Sequence, residues 1–137
     1  MTLSYDESLR DDQNNLLRDR LDAGAGPGRV LVYGGTPPAN VDGSLSGNTL
    51  LADIPLKKPC APDSSGGVLT FDVSPVPEDT MADATGDATF FRLADSTGFE
   101  RAQGTVTATG GGGDATMPSV TITAGEPVRL PSLTITL

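Results

Sequence analysis

Up to Gly24 the apolar residues recur at helical spacing, whereas beyond Gly28 they alternate in short runs of period two. Leu9, Leu16, Leu17 and Leu21 form one stripe among Asp6, Asp11, Asp12, Arg18, Asp19, Arg20 and Asp22, so residues 4–23 are predicted to form an amphipathic helix. Ser4-Tyr5-Asp6-Glu7 fits a capping box, in which hydroxyl and carboxylate satisfy free N–H groups of the first turn. Gly24 stands where a left-handed C-cap is wanted. The polar run Asp11–Asn15 interrupts the stripe, which leaves two readings: the stripe packs on its own domain, or it docks on a neighbouring subunit.

After the loop Gly24–Gly28, strands are predicted over 29–33, 50–56 and 68–73, with Pro55 placing its end of the second at an edge or a bulge. Asp83–Thr107 contains a β-hairpin: Thr89, Phe91 and Leu93 face one side, Ala88, Phe90 and Arg92 the other, and Asp95-Ser96-Thr97-Gly98 turns the chain. Asp at the start of a turn caps its own backbone, and Gly at its end closes a type I turn with a bulge. Residues 119–123 and 128–137 complete the pattern. In the last run the apolar parity changes between Leu130 and Leu133, as one extra residue at Pro131-Ser132 in a β-bulge would require, and the alternation to Leu137 predicts a C-terminus pinned in a sheet. The expected fold is mainly β: an antiparallel β-sandwich of about seven or eight short strands, residues 29–137, preceded by an N-terminal amphipathic helix and Gly-rich linker, residues 1–28.

Composition narrows the chemistry. With 137 residues, no Trp, four Phe and two Tyr, the core must be thin and aliphatic, as between two small sheets. No histidine is present, which removes the commonest general base and metal ligand, and six aromatics leave little for a sugar-binding platform. No catalytic residue is assigned. A net charge of −9, with nine scattered basic residues, opposes nucleic-acid binding. No apolar run is long enough to span a bilayer and no export signal opens the chain, so a soluble protein is expected. The single cysteine, Cys60, reads as an inert loop thiol, its pKa modestly lowered by Lys57 and Lys58.

Two further motifs invite chemical readings. Glu78, Asp79, Asp83 and Asp87 offer hard oxygen donors for calcium, but their spacing matches no EF-hand loop or aspartate-glycine repeat, so a solvated acidic loop is expected, with no metal and no cofactor. Gly110–Gly113 lacks the Lys-Ser or Lys-Thr of a phosphate cradle and reads as a flexible hairpin tip.

From Arg29 onward, over about four-fifths of its length, the chain is similar to small β-rich structural proteins from the virions of tailed bacteriophages. The residues that carry the likeness are Val30–Pro38, Thr49–Ala52, Gly67–Thr70, Ala84–Ser96, Gly104–Val106, Ile122–Gly125 and Leu133–Thr136, in that order. The resemblance implies a virion component without catalysis. The expectation that follows is a capsid decoration, or cement, protein, made in the host cytoplasm and bound to the major capsid protein on the capsid surface, as a homotrimer or other small oligomer. A tail, neck or baseplate structural protein is the alternative, and a carbohydrate-binding receptor module a third. The residues expected to make contacts are Leu9, Leu16, Leu17 and Leu21 of the helix, with Phe90 and Arg92 of the hairpin, Phe90 being assigned to a subunit or capsid contact and Phe91 to the core.

Overall fold

A computed structural model describes residues 3–137. Their fold is mainly β and sandwich-like, with one helix: α1 (Glu7–Leu21), β1 (Arg29–Gly34), β2 (Leu50–Pro55), β3 (Val68–Thr70), β4 (Glu78–Asp79), β5 (Gly86–Ala94), β6 (Glu100–Ala108), β7 (Ala115–Met117), β8 (Thr121–Ile122), β9 (Val128–Arg129) and β10 (Ser132–Thr136). The strands outnumber the expected seven or eight because β4, with two residues, and β7, with three, are too short for alternation to register, and the run 128–137 divides into β9 and β10.

The main sheet runs β2-β1-β5-β6-β7-β10-β3, with β8 on the end of β5, while β4 and β9 pair separately. All named pairs are antiparallel except β6 with β7. Val30, Val32, Ile54, Phe91 and Leu93 from the first strands meet Val106, Ala115, Leu133 and Leu69 from the last in one apolar core. Leu21 of α1 belongs to that core, so helix and sandwich share a single interior.

Three expectations about local structure are corrected. The helix begins at Glu7 rather than Ser4: Asp6 is the N-cap, its Oδ1 accepting from the Leu9 N–H at 3.2 Å, and Asp22 closes the helix with right-handed backbone. The parity change near the C-terminus is not a bulge within one strand. It separates two strands in different sheets, β9 on β4 and β10 between β7 and β3. The pinned end is observed, since the Leu137 N–H donates to the Gly67 carbonyl at 3.0 Å.

The third correction concerns the four glycines, which are not a hairpin tip. The chain leaves β6, turns through Thr109–Asp114 and enters β7 parallel to β6, with Val106 opposite Ala115. So short a parallel connection demands tight reversal, since parallel strands ordinarily need a crossover of a dozen residues or more. Gly110 (φ 90°) and Gly112 (φ 81°) supply left-handed backbone, and a Cβ at Gly111 or Gly113 would lie 2.8 or 2.9 Å from the Thr107 side chain. Thr107 Oγ1 accepts from the Gly113 N–H, and Asp114 Oδ2 accepts from the Thr105 N–H and hydroxyl, which anchors the loop on both sides.

Candidate interaction surface

The expected contact residues divide according to what covers them. On α1, Leu21 is fully buried and Leu17 packs against the core, whereas Leu9 and Leu16 are 40% and 54% exposed. The interruption at Asp11–Asn15 explains the division. Asp11 Oδ1 accepts from the Ser64 hydroxyl at 2.7 Å and from the Gly67 N–H at 2.9 Å. Asn14 Nδ2 donates to Ser64 Oγ and the Gly67 carbonyl, and Asn15 Oδ1 accepts from the Ser64 N–H at 2.7 Å. Arg18 reaches Asp63 at 2.6 Å, and Asp22 accepts from the Cys60 N–H. The polar run therefore grips the loop before β3. The inward side of the helix is polar at its middle and apolar at its C-terminal end, and the leucines left over point outward.

Phe90 and Arg92 correct the sequence expectation most sharply. Both are buried within the chain, at 1% and 2% exposure, so neither presents a free contact surface. Phe90 stacks on Tyr33 with ring centroids 5.3 Å apart. Arg92 Nε donates to Gln103 Oε1 at 3.0 Å, Nη1 to Glu100 Oε1 at 3.1 Å, and Nη2 to the Gly43 and Asn40 carbonyls. Gln103 in turn donates to the Pro38 carbonyl. A guanidinium with five donors in a fixed fork can thus tie the 35–49 connection across a sheet face that alternation alone left open. Burial pushes the Tyr33 phenol above its ordinary pKa, with the Glu100 carboxylate adding to the effect. Phe91, assigned to the core, is fully buried there.

Ala88 also changes sides. Tyr33 pairs with Phe90 and Gly34 with Ala88, so Thr89 is the extra residue of a bulge, its Oγ1 donating to the Gly35 carbonyl at 2.6 Å. Ala88 thereby joins the core and Thr89 faces solvent. The turn at the far end matches its sequence: Asp95 Oδ1 accepts from the Thr97 N–H and hydroxyl and the Phe99 N–H, and Gly98 has φ 90°.

Most of the remaining chemical candidates have structural engagements; the Asp83 carboxyl, without a hydrogen-bond partner among the described residues, is pushed above its ordinary pKa by desolvation and by the nearby Asp79 and Asp53 carboxylates. Cys60 is buried, and its thiol is pushed up to about 12 by desolvation and then by the Asp22 carboxylate, the opposite of the direction expected. Lys57 binds Asp72 and the Ser74 carbonyl instead, and Lys58 the Gly24 carbonyl. Among the four acidic residues, Glu78 pairs with Arg129, Asp79 accepts from the Asp53 and Met81 N–H groups, and Asp87 accepts from the Thr121 hydroxyl. No group of three or more metal-ligating side chains converges among the described residues. No helix among them is long and apolar enough to cross a membrane.

What remains accessible is the outward flank of α1. Beside it runs a cleft of about 540 Å³, which Leu17, Val41, Ala102, Ile135 and Leu137 line with apolar surface. An exposed aromatic, Phe99, with the Arg101 guanidinium 4.0 Å above its ring, marks the hairpin tip. No protein-family model, curated protein or solved structure matches this chain.

Proposed function

We propose that the chain is a non-enzymatic virion structural protein: a capsid decoration (cement) protein that binds the shell of the major capsid protein as a small homo-oligomer. One observation carries the reading. The segments that resemble small phage virion proteins, Val30–Pro38, Thr49–Ala52, Gly67–Thr70, Ala84–Ser96, Gly104–Val106, Ile122–Gly125 and Leu133–Thr136, overlap β1, β2, β3, β5, β6, β8 and β10 of a mainly β, sandwich-like fold. The side chains with the greatest chemical potential, Cys60 and Arg92, serve packing and loop attachment, which suits a protein whose work is contact. Its net charge of −9 also suits a place outside a shell that encloses DNA, because it does not compete for the packaged polyanion.

Binding of the purified chain to isolated capsid shells, followed by cryo-EM of the particles, tests the proposal. Saturable occupancy of equivalent sites over the shell is expected. Density confined to the tail, neck or baseplate, or no binding to shells, overturns it.

A further inference from the structure

We infer that the outward flank of α1 is a self-association surface, on which two copies pair their helices antiparallel across a two-fold axis. The inference stands on the geometry of the helix and not on the capsid assignment. At 3.6 residues per turn, Leu9 and Leu16 lie within about 20° of each other and about 130° around the helix from Leu21. Both are exposed, although the same helix is held firmly on its other side by Asp11, Asn14 and Arg18. An apolar pair on a rigid, anchored helix loses little conformational freedom when it docks.

The charges around these leucines choose the partner and its direction. Arg20 is exposed and makes no salt bridge among the described residues, unlike Arg18, which is committed to Asp63 and Asp19. With two helices antiparallel and the axis beside Asp12 and Gln13, Leu9 of each copy meets Leu16 of the other. The same register sets each Arg20 beside Asp6, the N-cap, of the second copy. A parallel arrangement at one level would stack Arg20 on Arg20 and Asp6 on Asp6. The surface is therefore complementary to itself in the antiparallel sense, which builds an isologous dimer rather than the three-fold ring of a homotrimer. One opposing contact remains: the two Asp12 side chains approach across the axis. A surface centred on two leucines per copy falls short of a standard interface of roughly 1,600 Å², so the dimer forms reversibly with concentration.

Sedimentation equilibrium of the purified full-length chain over a concentration series tests the pairing without any shell present, so its failure and that of the capsid proposal are distinguishable. A monomer–dimer equilibrium is expected, weakened roughly tenfold or more by Leu16→Asp and tightened by Asp12→Asn, which removes the like charges. Under mild oxidation Gln13→Cys, near the axis, should give a covalent dimer. Glu7→Cys should not, because the two copies of residue 7 lie about 16 Å apart along the helices. A monomer at every concentration, a trimer, an association indifferent to Leu16→Asp, or equal crosslinking through positions 7 and 13 would each overturn the inference. Circular dichroism of every variant confirms that the fold is retained; Asp12→Asn and the cysteine pair decide the matter if Leu16→Asp unfolds.

Discussion

Phe90 and Phe91 are consecutive, face opposite sides of one sheet and are equally hidden from water, yet they are covered by different kinds of structure. Phe91 packs into the sandwich interior among side chains from distant strands, and its ring lies so close under Gly104 that a Cβ there would come within 2.6 Å of it. Phe90 lies against Tyr33, on a face across which Arg92 and Gln103 hold the 35–49 connection by backbone carbonyls. One side is closed by apolar packing spread over many strands, the other by a loop held through hydrogen bonds from a few side chains, Arg92, Gln103 and Thr89. Local opening should follow this difference, because segments with few apolar contacts open at less than the cost of global unfolding.

The largest effect is expected from Phe91→Ala. Loss of a buried ring and the cavity that remains should cost about 3–5 kcal/mol in urea melts, with the whole fold losing stability together. Arg92→Met should cost somewhat less, about 2–3 kcal/mol, because it leaves Glu100, Gln103 Oε1 and two carbonyls without their donor while Glu100 keeps partial access to water. The comparison is sharpened by hydrogen exchange: Arg92→Met should accelerate exchange in residues 35–49 while the amides of β5 and β6 stay protected. Uniform acceleration through the molecule would show that the two sides form one cooperative unit.

Gly104→Ala comes next, at about 1–2 kcal/mol, since the added methyl must displace both the Phe91 ring and the Asp114 carboxylate. The smallest effect concerns the hairpin turn. Hydrogen bonds from Thr97, then from the Phe99 backbone, hold the Asp95 carboxyl below its ordinary pKa. A carboxylate depressed in the folded state contributes stability above the unfolded pKa of about 3.9, and that contribution is lost as pH falls through the folded value. Thermal melts below about pH 4 should therefore fall less steeply for Asp95→Asn than for the parent chain. Parallel pH profiles would mean that the turn adds nothing at this carboxylate.

Local chemistry made much of the fold legible in advance. Period-two alternation located β1, β2, β3, β5 and β6, and the aspartate and glycine of the Asp95–Gly98 turn produced the turn they encode, because such signals act between neighbours in the chain. An amphipathic stripe sufficed to predict α1, although Asp6 displaced Ser4 as its cap: within one turn several oxygens compete for the same N–H groups.

The sequence by itself thus determined the mainly β class, the helix, the principal hairpin and the burial of Phe91. Only the tertiary structure decided which outward-facing residues remain outward. Alternation states that Phe90 and Phe91 lie on opposite faces but not whether the second face is covered; that depended on a loop some fifty residues away finding Arg92. The break at Asp11–Asn15 likewise hid a polar clamp, since Ser64 and Gly67 are remote in sequence and carry no periodicity. The role of the four glycines as a parallel-strand connection was equally hidden: Gly110 and Gly112 supply left-handed backbone, and Gly111 and Gly113 lie where Thr107 leaves no room for a Cβ. Periodicity reports the local geometry of a segment, whereas a surface is defined by what the rest of the chain leaves uncovered, and that depends on packing between residues far apart in sequence.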